Sequence, residues 1–389
     1  MMQIIQLFLE DNYQISFAST STKSEYSAQL EELGVKETSI ELNAPSFDHF
    51  ISELNPSIVL FDRYITEEQF GWRVAEQCPN ALRILDTEDL HFLRKARQEA
   101  LKSGIKDDKV SLLTDTAKRE LASIFRSDLS LIISEVEIDL LYTQFKLPKE
   151  ILYYLPFLEE AISEEEKKEL PTFEERQHFM TIGNFQHAPN LDAVLYLKQE
   201  IWPEIRKRLP KAELHIYGAY APKRAVELHN EKEGFYIKGW ANDADEVMRN
   251  ARVCLAPLRF GAGLKGKLID AMRNGTPSVT TKIGAEGMHG TMPFSGVVKD
   301  TVAEFIDASI QLYTEEKAWI RGQFNGFQII ENRFQKAAFS EAFKQKLNEL
   351  QQNLELHRQQ NFMGRILEHQ SMRATKFMSK WIEEKNKSS

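Results

Sequence analysis

A chain of 389 residues, 42% of them hydrophobic, is longer than one ordinary core requires and predicts two domains, each able to bury a substantial interior. Its formal net charge of -9 excludes a global nucleic-acid footprint, which needs concentrated Lys and Arg. No stretch approaches the roughly 20 apolar residues of a membrane span, and the only cysteines, Cys78 and Cys254, lie too far apart for a CxxC pair or a disulfide framework. Without a basic and then cleavable apolar leader, the expectation is a reducing, cytoplasmic setting.

The chain opens on Met1 to Glu10 (MMQIIQLFLE), whose apolar spacing suits an amphipathic helix. Six strand-like runs follow: 14–20, 37–42, 57–61, 81–86, 129–134 and 151–155. After the fourth, LDTEDLHFLR (85–94) gathers Asp86, Glu88, Asp89, His91 and Arg94 where a strand ends and a helix begins. Asp89 or His91 there is a candidate to orient or deprotonate a hydroxyl. The alternative is structural, with Asp89 as helix N-cap and Arg94 paired to a carboxylate. Ser134 and Glu137 form a weaker constellation after the fifth run.

The charge-rich stretch 159–176 reads as a solvated linker. A second series of strands is expected at 178–182, 213–217, 234–238, 253–257, 278–281 and 296–298. Alternation of strands and helices in both series predicts an α/β protein with two parallel sheets facing a cleft, ligands sitting at the carboxyl ends of strands. The boundaries are a first domain at 1–158, the linker, a second domain at 177–335 and C-terminal helices at 336–389.

The most informative segment is FGAGLKGKLIDAMRNGTPSVTT (260–281). Gly261 and Gly263 let the backbone bend and approach a ligand, and a helix starting near Lys265 would turn unpaired N–H groups toward the loop. Lys265 and Lys267 add point charges suited to phosphate. Asp270, on the same helical face as Lys267, is placed to accept hydrogen bonds from sugar or ribose hydroxyls. Asn274-Gly275-Thr276-Pro277 ends the helix. The bland reading is a solvated helix start. Upstream, in MTIGNFQHAPN (180–190), Gly183-Asn184 opens a loop in which His187 and Asn190 are candidates to bond hydroxyls or, alternatively, Asn190 is a helix N-cap and His187 a loop residue. Trp240 is either a stacking platform or a buried aromatic. The acids Asp243 and Asp245 open a helix and read as capping, not metal binding.

These motifs resemble the retaining glycosyltransferases of family 4, also called group 1. Gly261, Gly263, Lys267, Ala271, Met272, Gly275 and Pro277 match that family's G-x-G-x-x-x-K-x-x-E-A-M-x-x-G-x-P-V element, and GNFQHAPN is similar to its G-N-x-x-H-x-P-N loop. Asp270 stands where Glu is usual, Ser278 where Val is usual, and Ala262 where many members have a second Glu. The resemblance implies two Rossmann-like domains of GT-B type and transfer, with retention, of a sugar from a nucleoside-diphosphate donor to a saccharide, lipid-linked or protein hydroxyl. It implies donor contacts from Gly183, Asn184, Gly261, Gly263, Lys265, Lys267, Asp270 and Glu286, with Asp89 and His91 on the acceptor side. No metal, cofactor or nucleic acid is expected, the donor being a substrate.

Two other readings stay open. One is a nucleotide-sugar 2-epimerase of the same double fold; the other is a non-catalytic sugar-nucleotide-binding or scaffolding protein. The family's first domain also begins with a strand ahead of the opening helix, so a strand and glycine loop upstream of Met1 are an expectation. The resemblance ends near Leu354. Beyond it, a basic amphipathic tail rich in Phe, Met, Trp, Lys and Arg either lies on an anionic membrane surface or packs against protein.

Overall fold

The computed structural model describes residues 1–105 and 110–387. The chain divides into two compact units, each discontinuous. The first comprises Met1–Phe92, Ser111–Pro156 and Phe339–Ser389; the second comprises Leu93–Val110 and Phe157–Ala338.

All twelve anticipated strands form, with ends shifted by at most three residues. In the first unit they are β1 (Ser16–Ser19), β2 (Lys36–Ser39), β3 (Ile58–Asp62), β4 (Leu82–Asp86), β5 (Leu129–Ile132) and β6 (Leu152–Tyr154). They do not join into one sheet: β1 and β2 make a two-stranded parallel sheet, and β3-β4-β5-β6 a separate four-stranded one. The opening helix, Met2–Glu10, buries Ile4, Ile5 and Leu7, and Ile5 packs with Leu30 and Val35. Strands covered on both faces are continuously apolar and buried. That holds for β4 and β5, every residue of which is buried, but not for β1, whose four residues all keep partial exposure.

The second unit carries β7 (Gln177–Ile182), β8 (Leu214–Tyr217), β9 (Phe235–Gly239), β10 (Ala251–Ala256), β11 (Ser278–Thr280) and β12 (Gly296–Val298). They form one parallel sheet in the order β12-β11-β10-β7-β8-β9. Alternation along each strand sends Phe179, Leu214, Ile216, Val253, Leu255 and Val279 to one face, where they pack with Leu197, Trp202, Phe305 and Trp319. Met180 and Cys254 point the other way and join Met248 and Ala271. The chain winds outward in one direction from β7 and in the other from β10. The neighbouring pair β7 and β10 is therefore the switch point of the sheet, the position at which open α/β sheets generally take their ligands.

The segment 159–176 carries a short helix, Glu164–Glu169, opened by a reciprocal capping box between Ser163 and Glu166. At its end Arg176 is fully buried and donates to Thr276 Oγ1 (2.7 Å) and to the carbonyls of Asn274 (2.9 Å) and Pro171 (2.9 Å). Its charge thus meets the carbonyl end of the helix Gly266–Arg273, and burial lowers its pKa to about 10. The cysteines are free and buried, consistent with a structural role.

Candidate functional site

The loop following β10 runs into the helix Gly266–Arg273, with Lys265 at the N-cap position as the sequence predicts. Gly263 has φ +62°, a left-handed conformation that glycine adopts without steric cost. The helix stops where Asn274-Gly275 predicts. Gly275 (φ +63°) donates to the Met272 carbonyl (3.1 Å) and Thr276 to that of Ala271 (2.8 Å), the paired bonds of a Schellman cap.

Packing makes this a tight cradle. A Cβ on Gly261 would touch Lys265 Cε at 3.4 Å, while one on Gly183, in the loop after β7, would strike the Asn190 amide nitrogen at 2.5 Å. Gly218, just after β8, has even less room, since its Cβ would lie 2.1 Å from the Gly183 carbonyl oxygen. Gly183 and Gly218 are thus demanded by close packing, whereas a Cβ on Gly261 would make only an ordinary contact.

Lys267 reaches across to the β7 loop and donates to Asn190 Oδ1 (2.8 Å), while the Asn190 amide donates to the Asn184 carbonyl (2.9 Å). Asn184 Oδ1 in turn accepts from the Gln186 N–H (2.8 Å), closing a turn. One cation therefore joins the two loops at the switch point. Loss of hydration lowers the Lys267 pKa to about 8 despite the attraction of Cys254 and Asp270. Asp270 is pushed up to about 7 by desolvation and by the carboxylates of Glu159 and Asp245, against the pull of Arg273 and Lys267. Both groups are thus drawn toward neutrality from opposite sides, chiefly by loss of hydration.

Other expected contacts lie differently. Lys265 is buried and folds back on its own loop, its Nζ donating to the carbonyls of Gly263 (2.5 Å) and Ala262 (3.2 Å). In this arrangement it rigidifies the loop. Glu286 is held by Arg97, whose guanidinium bonds both carboxylate oxygens (2.7 and 2.8 Å) and also the Gly261 carbonyl (2.8 Å). Asn190 is not the N-cap suggested as its structural alternative: the cap position is His187, which makes no side-chain cap bond, and Asn190 sits inside the first turn. His187 Nε2 lies 2.7 Å from Arg94, and burial followed by that guanidinium lowers its pKa to about 4, so the neutral ring accepts. Trp240 is 49% exposed beyond β9, which removes the buried-aromatic alternative. Asp243 caps as expected, accepting from the Glu246 N–H (2.9 Å).

In the first unit, Asp89 and His91 are both buried, and their Oδ1 and Nε2 lie 3.3 Å apart. Asp89 does not serve as a simple N-cap. The start of the helix His91–Ser103 is satisfied from elsewhere: Glu120 accepts from the N–H groups of His91 (3.0 Å) and Phe92 (2.8 Å), and Glu137 from that of Leu90 (3.1 Å). Buried side chains on other helices thereby accept the first N–H groups of this helix. Tyr64 stands edge-on to that imidazole with centroids 5.5 Å apart. Arg94 lies within hydrogen-bond distance of His187. Ser134 and Glu137 are both buried.

Sequence reasoning missed Arg97. It stands on a helix 189 positions from Glu286, and no local pattern signals such a partner. Among the described residues no group of three or more His, Cys, Asp or Glu is arranged to hold a metal ion.

Parallel α/β sheets with loops and a helix N-terminus converging at a switch point define the two-Rossmann GT-B class. Residues 176–315 match the family described as "Glycosyl transferases group 1". An "Uncharacterized 44.6 kDa protein in cps region" of Klebsiella pneumoniae is 27% identical over 175 residues, 42% of this chain and 44% of that one. The match thus spans less than half of that relative. Sucrose-phosphate synthase from Thermosynechococcus elongatus superposes with a TM-score of 0.65 at 13% identity, over 90% of this chain and 92% of that one. The pneumococcal O-GlcNAc transferase GtfA, in complex with UDP and GlcNAc, does so with a TM-score of 0.57 at 16% identity, over 78% and 59%. At these identities the structures share the fold.

Proposed function

We propose that the chain is a retaining glycosyltransferase that binds a nucleoside-diphosphate sugar in the crevice between the β7 and β10 loops and transfers the sugar to a hydroxyl acceptor in surface polysaccharide or glycoconjugate synthesis. The observation that carries this reading is Lys267, a cation joining both switch-point loops, with Asp270 one turn along the same helix. Lys267, the helix N-terminus and the loop amides hold the diphosphate, stabilising charge on the leaving group without reorganisation. Asp270 accepts from ribose hydroxyls, and its desolvated carboxyl gains a partner in doing so. Gly261, Gly263, Gly183 and Asn184 let the donor approach the backbone, Lys265 stiffens the loop, and Glu286 meets the donor sugar. Asp89 and His91 orient the acceptor hydroxyl and accept its proton, the carboxylate stabilising the imidazolium that forms. The capsule-region relative supports polysaccharide synthesis as the setting, and the nucleotide held by the pneumococcal transferase makes UDP-linked sugars the first donors to try.

The test is turnover of radiolabelled UDP-, GDP- and ADP-linked hexoses, alone and with saccharide or lipid-linked acceptors. Acceptor-dependent release of nucleoside diphosphate is the expected result. Epimerised donor in the absence of acceptor would instead favour the epimerase reading, and saturable binding without turnover a non-catalytic one.

A further inference from the structure

Among the described residues, the C-terminal helices gather several of the most exposed large hydrophobic side chains. From Phe362 to Lys387 the backbone is helical throughout, as the helix Phe362–Leu367, a five-residue π segment Glu368–Met372 and the helix Arg373–Lys387. One face packs on the rest of the first unit. Gly364 lies against the Phe125 carbonyl, Met372 against Gly71, and Ser371 accepts from Arg126 (2.9 Å). Ser379 accepts from the fully buried Arg73 (3.0 Å), and Glu383 forms an ion pair with the same arginine. The π segment inserts one residue into the helical repeat, a phase change of about 100°. That shift keeps Gly364 before it and Met372, Ser379 and Glu383 after it on the packed side.

The opposite face is apolar and exposed. Phe362, Met363, Ile366, Phe377, Met378 and Trp381 all point outward. Among described residues, six large hydrophobic side chains are at least 60% exposed, and four of them (Phe362, Phe377, Met378 and Trp381) lie on this one helical stretch. Soluble surfaces scatter such residues singly; a stripe of them marks a contact surface. Its flanks are basic. The stretch 362–387 has six Lys and Arg against three Glu, in a chain whose formal net charge is -9. Two of those glutamates are tied to arginines of the packed face or its margin, Glu383 to Arg73 and Glu368 to Arg83 (3.0 Å). Arg365 and Lys387 remain more than half exposed, and the Lys385 ammonium lies 5.5 Å from the centroid of the Trp381 ring.

We propose that this face docks on an anionic lipid surface, lying in the interface with the Phe, Met, Ile and Trp side chains in the acyl boundary and the Lys and Arg side chains at headgroup phosphates. An aromatic and aliphatic stripe edged by cations, on a helix already anchored by its other face, fits in-plane binding. It is not a span: among the described residues no helix is long and apolar enough to cross a membrane.

Co-sedimentation of the full chain with vesicles of phosphatidylcholine, with and without phosphatidylglycerol, tests this without reference to transferase activity. Partition onto the anionic vesicles that weakens at high salt is expected. It should drop about tenfold in a Phe377→Ser/Trp381→Ser double variant, with the melting temperature unchanged because both side chains are exposed. An Arg365→Gln/Lys385→Gln variant should lose only the preference for anionic lipid. No binding by the parent chain, or equal binding by the double variant, would overturn the proposal. So would an oligomer in solution that the double variant dissolves while vesicle binding is absent, since a second copy would then own the face.

Discussion

The two units build functional groups on different foundations. In the second, a six-stranded sheet presents two loops from adjacent strands, and nearly every residue from Ala251 to Leu264 is buried. In the first, the strands are divided between a two-stranded and a four-stranded sheet, and the Asp89–His91 pair depends on carboxylates of neighbouring helices for its support. The contrast teaches where precision comes from. A continuous sheet fixes a loop by its strand spacing, whereas a divided one relies on side-chain hydrogen bonds to hold a helix start in place. On the proposed reading it also separates two tasks, donor holding in the second unit and acceptor chemistry in the first.

The largest expected effect tests that separation. His91→Gln and Asp89→Asn should each lower the transfer rate by about 100- to 10,000-fold, the range of general acid–base contributions, with donor affinity unchanged. A parallel loss of donor affinity would mean that the pair does not serve the acceptor alone. Lys267→Met should do the reverse, weakening nucleoside-diphosphate binding by about 10- to 100-fold, the worth of a hydrogen bond to a charged group. The fold should survive, because removing a desolvated ammonium also removes its desolvation cost.

Substitution of glycine sharpens the structural side. Gly218→Ala places a Cβ against the Gly183 carbonyl at 2.1 Å, so it should destabilise the second unit by about 1–3 kcal/mol, the cost of overpacking. Gly34, with φ +79° and nothing within 4 Å of an added Cβ, should pay only the backbone strain of about 1 kcal/mol on substitution by Ala. Urea melts of both variants check the difference.

The smallest effect is a pH dependence. Asp270 has a folded pKa of about 7, raised from 3.8, so the folded state holds the proton more tightly than the unfolded chain. Its stabilising contribution is therefore present at low pH and lost as pH rises toward 7. Asp270→Asn should remove that loss and be more stable than the parent by about 1 kcal/mol above pH 7, while binding donor less well. For Lys267, lowered to about 8 from 10.5, the sign reverses: stability is gained as pH rises from about 8 toward 10.5. Donor binding needs the carboxylate ionised and the ammonium protonated, so affinity should peak between about pH 7 and 8. Thermal melts and titrations across pH 5 to about 10 read all three trends.

Much of this was legible in the chain. Strand positions followed from apolar runs bounded by Gly, Pro and Asn, because a sheet covered on both faces needs them continuous. The helix at 266–273 was visible from Gly263 at its start and Asn274-Gly275 at its end, since each satisfies a local backbone demand. What escaped depends on distant residues. Nothing near position 97 announces its hold on Glu286, and nothing near Asp89 shows that Glu120 and Glu137 would satisfy the helix start. The inward turn of Lys265 also eluded the pattern, because a lysine at a helix N-cap reads equally as a phosphate contact. The division of the first unit's strands was invisible as well: pairing is a long-range choice that the individual runs do not encode.

The central claim is that the β7 and β10 loops form a nucleoside-diphosphate site. Isothermal titration of the full chain with UDP, GDP and ADP, repeated with Lys267→Met, tests it most directly. Saturable binding of at least one nucleotide by the parent chain, weakened at least tenfold in the variant, is the expected result. Binding of none of the three, or equal binding by parent and variant, would contradict the account.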